Sequence, residues 1–148
     1  MKRPAKVNQS LYTWPRSRLQ LNTPTGKPGA VADLVQNRIP DSASIAVNYP
    51  ASITDPEYQN SVTDGINDTI QKIQNYVDAC GDDSNIVLIG YSQGGNVHTD
   101  VLAGGVDKPA PLSSAYAQYI SAVTVFGDPT YTKGQSFDVG NATKSGVS

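Results

Sequence analysis

The stretch that decides the fold is IVLIGYSQGG, residues 86–95, in which a continuous apolar run leads into a serine flanked by glycines. An apolar run of this length, bounded by turn residues, is typical of a strand buried on both faces of a parallel sheet. The letters GYSQG then fit the pattern G-x-S-x-G, in which a serine lies on a tight turn between a strand and a helix. Glycine is needed on both sides because side chains there would collide. The pattern predicts that the hydroxyl of Ser92 is exposed above the sheet.

Two other interpretations of this pattern stay open at the level of sequence. Ser92 is also compatible with an ordinary strand-to-helix turn in which the serine is a helix N-cap. Residues 90–95 are compatible with a phosphate cradle at a helix N-terminus. The phosphate interpretation is the weaker of the two, because neither the lysine of a P-loop nor the spacing G-x-G-x-x-G is present.

The composition of the chain argues against several classes of partner and site. A chain of 148 residues suits one domain with a core of ordinary size. Eleven basic and thirteen acidic residues give a net charge of -2 without a block of like charge, so we expect neither nucleic acid nor a membrane as partner. One cysteine, Cys80, and one histidine, His98, predict no internal disulfide and no metal site. The first twenty residues lack the apolar region of a signal peptide, and no membrane span is predicted.

Helical and strand-like segments alternate along the chain after an irregular segment over residues 1–28. The predicted elements are, in order, a helix over 31–39, a strand over 44–50, a helix over 55–80, a strand over 86–90, helices over 93–102 and 113–120, and a strand over 122–129. This alternation is typical of a parallel sheet with helices on both faces. Functional sites of such sheets lie at the carboxyl ends of the strands, where Ser92 is placed.

A serine attacks an ester only if a base removes its proton and if N–H groups bind the developing oxyanion. The backbone N–H of Gln93, directly after the nucleophile and at a helix N-terminus, is the predicted oxyanion donor. His98 lies six residues beyond Ser92 in the same predicted helix, about 9 Å along its axis. That separation exceeds hydrogen-bonding reach, about 3 Å, so we interpret His98 as a packed or surface residue and not as the base.

Four motifs occur in the order and spacing of a known family. They are NYPAS at 48–52, YQNSVTDGI at 58–66, IVLIGYSQGG at 86–95 after Cys80, and FGDPTYTKGQSFDVG at 126–140. From about Gly29 to Ser148 the chain thereby resembles the cutinase and acetylxylan esterase family, which are carbohydrate esterase family 5 type serine esterases. The doubled glycine at 94–95 and the Gly-Gly-x-Asp segment at 104–107 are more similar to the acetylxylan esterase branch.

The resemblance implies a fold, a reaction and a site. The implied fold is an incomplete α/β-hydrolase-like (flavodoxin-like) three-layer sandwich with a parallel central sheet, formed by residues 29–148. The implied reaction is hydrolysis of plant cell-wall esters, in cutin or acetylated xylan, by a secreted monomer without a cofactor. Ser92 is the implied nucleophile and Gln93 an oxyanion donor.

The chain also departs from the family pattern at both ends. In the family a buried first strand, ending in a hydroxyl residue that completes the oxyanion hole, precedes the segment aligned at Gly29. Here PRSRLQLNTPTGK, residues 15–27, offers no such motif, and residues 18–21 suit a central strand poorly. For a sheet of order 2-1-3-4-5 we therefore expect a vacant central slot and a frayed or rearranged sheet.

The catalytic aspartate and histidine of the family lie beyond the FGDP segment, and residues up to 148 include neither. We therefore expect impaired catalysis by this chain, with a non-catalytic module that binds polysaccharide or protein as the alternative. Cys80 matches a family half-cystine whose partner belongs to the missing N-terminal part, so a free thiol is expected.

Overall fold

The computed structural model describes residues 8–13, 27–39 and 42–146 of the chain. Its elements are β1 (Asn8–Thr13), α1 (Lys27–Arg38), β2 (Ser42–Ala46), α2 (Tyr58–Cys80), a 3₁₀ turn (Gly81–Asp83), β3 (Ile86–Tyr91), α3 (Gln93–Ala103), α4 (Ser114–Ala117) and β4 (Ile120–Phe126). The predicted alternation of helices and strands is confirmed. The ends of most elements shift by a few residues.

The strands form one parallel sheet of order β2-β1-β3-β4. Alternate residues of a strand face opposite sides of a sheet, and β3 shows this clearly. Leu88 packs in the core that includes Val62 of α2 and Val97 of α3, whereas Ile89 packs with Ala32 of α1. Helices therefore cover both faces, and the three-layer α/β architecture is confirmed.

The central slot of the sheet is filled by β1, which the sequence analysis did not foresee. β1 pairs with β2 from Asn8 opposite Ser42, and with β3 up to Thr13 opposite Gly90. The expectation of a vacant central slot is therefore wrong, and so is the prediction that residues 8–13 are irregular. Residues 18–21 lie outside the described part of the chain. The segment lacks a solid apolar run. Backbone pairing with a strand on each side holds the segment extended, although its own residues favour a strand only weakly.

Helix α2 supplies five of the fourteen buried hydrophobic residues in the described part of the chain, and its apolar spacing predicts this burial. Val62, Ile66 and Ile73 are fully buried, and the helix ends where Gly81 adopts a φ of 62°, a conformation that favours glycine. Its start differs from the prediction. The helix begins at Tyr58 instead of Asp55, and no side chain makes a capping hydrogen bond there. No helix in the described ranges is long and apolar enough to cross a membrane.

Candidate functional site

Ser92 lies between the end of β3 and the start of α3 in a strained backbone conformation. Its φ is 53° and its ψ is -122°, a combination that costs a residue with a side chain about 1–3 kcal/mol. Its N–H donates to the carbonyl oxygen of Phe126 at 2.8 Å, and its own carbonyl accepts from the N–H groups of Gly95 and Asn96 at 2.8 and 3.2 Å. These bonds hold the strained turn, and the predicted tight turn between strand and helix is confirmed.

The serine side chain is partly exposed and makes no capping hydrogen bond to the helix that follows. An N-cap serine would accept a hydrogen bond from the N–H two or three residues ahead, usually with an extended backbone. The backbone of Ser92 lies instead in a region that residues with side chains rarely occupy. The ordinary N-cap interpretation is therefore wrong.

Two glycines allow the strand and the helix to approach each other. A Cβ atom added to Gly90 would lie 2.5 Å from the carbonyl oxygen of Gly94 and 2.8 Å from the nitrogen of Gly95. A Cβ atom added to Gly95 itself would lie 3.0 Å from the Cβ atom of Asp128. The turn thus requires glycine at position 90 for a steric reason, which confirms the prediction for the first glycine of the pattern. The second close approach lies at Gly95, one residue beyond the predicted Gly94.

Gln93 is buried at the first position of α3, and its side chain connects three segments. Its Nε2 donates to the carbonyl oxygen of Ser52 at 2.8 Å, and its Oε1 accepts from the hydroxyl of Ser61 at 3.1 Å. The oxygen of Ser61 also accepts from the N–H of Ser52 at 3.0 Å. The backbone N–H of Gln93 has no acceptor within its own helix, since the first amides of a helix never do. The side chain therefore fixes the position of an N–H that can bind an oxyanion.

This network gives the NYPAS motif a physical role that sequence reasoning did not assign. The motif ends at Ser52, whose backbone the Gln93 side chain holds. A short polar motif far from the serine in sequence is thereby joined to the turn that carries it. Only the family resemblance pointed to this motif, because its residues carry no catalytic chemistry of their own.

Asp128, in the FGDP motif, is buried and fully engaged in hydrogen bonds. Its carboxylate accepts from the hydroxyl of Thr99 at 3.0 Å, and from the N–H and the hydroxyl of Thr130 at 2.8 Å each. These bonds attach the loop after β4 to α3, next to the close contact at Gly95. The aspartate is therefore a residue that positions the loop. The sequence analysis did not assign it a role.

His98 is fully buried in α3, and neither ring nitrogen makes a hydrogen bond to any described residue. Burial lowers its pKa to about 4, against a smaller opposing effect of the Ile89 backbone. The side chain is therefore neutral near pH 7 and is packed in the interior. Its interpretation as a packed helix residue is confirmed.

Thr13 is a hydroxyl residue at the end of the first strand, where the sequence analysis identified none. It is the last residue of β1 and pairs with Gly90, two residues before Ser92. A hydroxyl residue therefore ends the central strand at the edge of the sheet that carries the serine. The sequence pattern was expected to place this strand end within residues 15–27, whereas β1 lies earlier in the chain.

A cavity of about 410 Å³ lies along α3. It is lined by Gln59, Asn96, Asp100, Gly105, Val106, Asp107, Lys108 and Thr130. Asn96 accepts from the hydroxyl of Tyr58 at 3.2 Å and donates to Asp100 at 2.9 Å. Burial, and to a smaller extent Asp128 and Asp100, raise the pKa of Tyr58 to about 12, so its hydroxyl stays protonated. Burial also raises the pKa of Asp100, while Lys108 opposes this rise.

The described ranges contain no group of three or more His, Cys, Asp or Glu side chains that could hold a metal ion. Cys80 is a free thiol on the surface at the end of α2, as expected. The arrangement around Ser92 thus offers a serine, backbone N–H groups and a helix N-terminus. These groups suit the attack of a hydroxyl on a carbonyl carbon.

Comparison with known proteins gives a consistent result. The family model described as Cutinase matches residues 17–147. Cutinase 11 of Verticillium dahliae and an acetylxylan esterase of Hypocrea jecorina are each 32% identical over 133 residues, which is 82% of this chain and 45% and 44% of theirs. The catalytic core domain of acetyl xylan esterase from Trichoderma reesei superposes with a TM-score of 0.76 at 27% identity, covering 92% of this chain and 70% of that one. The chain spans about half the length of the curated relatives it matches.

Proposed function

Because the chain belongs to the cutinase family, we propose that it is a serine hydrolase of carboxylic esters with Ser92 as nucleophile. The observation that carries this proposal is the backbone of Ser92, with a φ of 53° and a ψ of -122° in a turn that glycines permit. A fold retains such strain mainly where function requires it. The turn presents a hydroxyl beside the N-terminus of α3, where the helix dipole favours negative charge.

The reaction follows from these groups. The Oγ of Ser92 attacks the carbonyl carbon of the ester, and its proton passes to a base. The oxygen of the tetrahedral intermediate accepts a hydrogen bond from the N–H of Gln93. The intermediate then expels the alcohol, which takes up a proton, and water hydrolyses the acyl-serine to release the acid.

The base is the component that the described residues do not provide. His98 is the one histidine of the chain, and it is buried within α3 without contact to solvent. Loss of the histidine from a serine triad lowers kcat by about 10⁶-fold, and oxyanion stabilisation and substrate binding account for the remaining rate. We therefore propose that residues 1–148 by themselves turn over esters slowly.

The substrates that we propose are the esters of plant cell walls, in cutin or in acetylated xylan. The names of the relatives, a cutinase and acetylxylan esterases, support both substrates. Such polymers lie outside the cell, so a secreted enzyme is part of the proposal. The reaction needs no cofactor, since serine, backbone amides and water carry all its steps, and we propose that the chain acts as a monomer.

Acetylation by p-nitrophenyl acetate tests the nucleophile. We expect slow acetylation of the chain at Ser92, followed by intact-mass spectrometry, and no acetylation of a Ser92→Ala variant. Ser114→Ala, an exposed serine on α4, is the matched control and should be acetylated at the wild-type rate. Acetylation of Ser92→Ala at the wild-type rate would refute the nucleophile. Rates near those of ordinary enzymes would refute the proposed impairment.

A second candidate function is a binding module without catalysis. The absence of a base among the described residues and the cavity beside α3 favour it. Such a module would bind xylan or a protein partner equally well as wild type and as Ser92→Ala, and would release no acid. Acylation of Ser92 by the acetyl ester would count against it.

A further inference from the structure

Ser61, near the start of α2, closes a ring of three hydrogen bonds with Gln93 and Ser52. Its hydroxyl donates to Oε1 of Gln93 at 3.1 Å, and Nε2 of Gln93 donates to the carbonyl oxygen of Ser52 at 2.8 Å. The N–H of Ser52 donates back to the Ser61 oxygen at 3.0 Å. Each of the three residues both donates and accepts, an arrangement in which hydrogen bonds strengthen one another. Ser61 is fully buried, so water does not compete for its hydroxyl.

The ring allows one orientation of the Gln93 amide group. The carbonyl oxygen of Ser52 can only accept a hydrogen bond, so Nε2 must face it. The Ser61 oxygen accepts from the N–H of Ser52, and its own proton is directed to Oε1 of Gln93. A reversed amide would place two oxygen atoms 2.8 Å apart at Ser52. The side chain of Gln93 is therefore held at both atoms of its amide group.

Helix α2 gives Ser61 a rigid support. The N–H of Ser61 donates to the carbonyl oxygen of Glu57 at 3.0 Å. One helical turn further on, a Cβ atom added to Gly65 would lie 2.8 Å from the side chain of Val97, so α2 and α3 are in close contact there. Val97 likewise follows Gln93 by one turn, and the two contacts thus join the helices in one register. This double contact prevents α3 from sliding along α2.

We propose that Ser61 is a positioning residue for the oxyanion site, which acts through the side chain of Gln93 on the N–H that binds the oxyanion. The inference rests on the proposed function, because it assumes that Ser92 attacks the ester. The hydroxyl of Ser61 is buried against Gln93 and Ser52 and does not itself take part in the reaction. Its loss would leave Oε1 of Gln93 without this donor. The first residue of α3 would then move more freely, and oxyanion stabilisation depends on its placement.

The rate at which p-nitrophenyl acetate acetylates Ser92, followed by intact-mass spectrometry, tests this role. We expect Ser61→Ala to be acetylated about tenfold more slowly than wild type, which is part of the roughly 10²–10³-fold loss caused by removing an oxyanion donor outright. Thr69→Val is the matched control. Thr69 is also fully buried on α2, but its hydroxyl donates to the carbonyl oxygen of Gly65, outside the ring. This variant should be acetylated at the wild-type rate, and circular dichroism confirms that each variant is folded.

A double substitution tests whether Ser61 acts through Gln93. Gln93→Ala keeps the backbone N–H but removes the side chain, and it should also slow acetylation about tenfold. The variant that combines Ser61→Ala with Gln93→Ala should be no slower than Gln93→Ala alone, because residues that act through one contact are not additive. Slowing that multiplies in the double variant would show that Ser61 affects the site through the packing of α2, and would overturn the proposal.

The outcomes separate this proposal from the proposed function. Acetylation of Ser61→Ala at the wild-type rate, or equal slowing of Thr69→Val, would overturn the positioning role and leave Ser92 as the nucleophile. If Ser61→Ala does not fold, a wild-type rate for Gln93→Ala would overturn it. Absence of acetylation at Ser92 in the wild-type chain would instead refute the nucleophile, and the positioning role with it.

Discussion

Replacing His98 by leucine should change how the stability of the protein depends on pH. The imidazole is fully buried and its pKa is lowered from 6.5 to about 4 by burial. The unfolded chain therefore binds a proton at a higher pH than the folded chain does, so stability is complete above about pH 6.5 and falls as the pH decreases towards 4. Each pH unit within this window changes the free energy of unfolding by about 1.4 kcal/mol.

The window of about 2.5 pH units gives a total loss of about 3 kcal/mol from this one residue. That is a large share of the stability of a domain, about 5–15 kcal/mol. Leucine has a similar volume and does not titrate, so the variant should lack this component. Carboxylates that titrate in the same range affect both proteins equally and cancel in the difference.

Urea denaturation at pH 7.0 and pH 4.5 measures the effect. The loss of unfolding free energy between the two pH values should be about 2–3 kcal/mol larger for wild type than for His98→Leu. Ile73→Leu, a buried residue of α2 that does not titrate, is the control and should keep the wild-type pH dependence. If wild type and His98→Leu lose the same free energy, the buried histidine is not the acid-sensitive group and the reasoning fails.

Two further substitutions test the site. Gly90→Ala should lower the free energy of unfolding by about 2 kcal/mol or more in a urea titration, because the added methyl group would lie 2.5 Å from a backbone oxygen of the next helix. Gly140→Ala, whose methyl group would have no neighbour within 4 Å, should leave stability unchanged. Gln93→Ala should cost about 1–3 kcal/mol by the same measurement, since the buried hydroxyl of Ser61 and the partly buried carbonyl of Ser52 lose their hydrogen bonds, while the exposed Gln71→Ala should not.

Each of these predictions has an outcome that contradicts it. A Gly90→Ala variant as stable as wild type would show that strand and helix are not in close contact. A Gln93→Ala variant with unchanged stability would contradict the inference that this side chain fixes the turn.

The turn at Ser92 was predictable because its constraints are local. Gly90 must avoid the backbone only four residues ahead, and the apolar run of β3 identifies the strand that leads into the turn. The long helix α2 was predictable for a similar reason. Its buried side chains recur at the period of a helix, and Gly81 marks its end.

The first strand was not predictable from its own residues. NQSLYT, residues 8–13, has a polar start and no apolar run, although it lies in the centre of the sheet. Its backbone pairs with two strands that come later in the chain, and such non-local pairing leaves little trace in a short sequence. The same limit concealed Thr13, and the bonds that join Ser52 to Gln93 connect residues 41 positions apart.

The structure separates the presentation of the nucleophile from the removal of its proton. The hydrogen bond that the N–H of Ser92 donates to Phe126, the close packing at Gly90 and Gly95 and the anchored side chain of Gln93 together hold the turn at Ser92. A turn with this strain would relax if any one of these contacts were its sole support. Because none of them is a titratable group, the geometry of the turn should be independent of pH between 5 and 9, whereas the rate of acylation should follow the pKa of whichever group accepts the proton. Acylation by p-nitrophenyl acetate that rises only with hydroxide concentration would identify hydroxide as that acceptor, and a rate that rises to a plateau near neutral pH would instead identify a side chain.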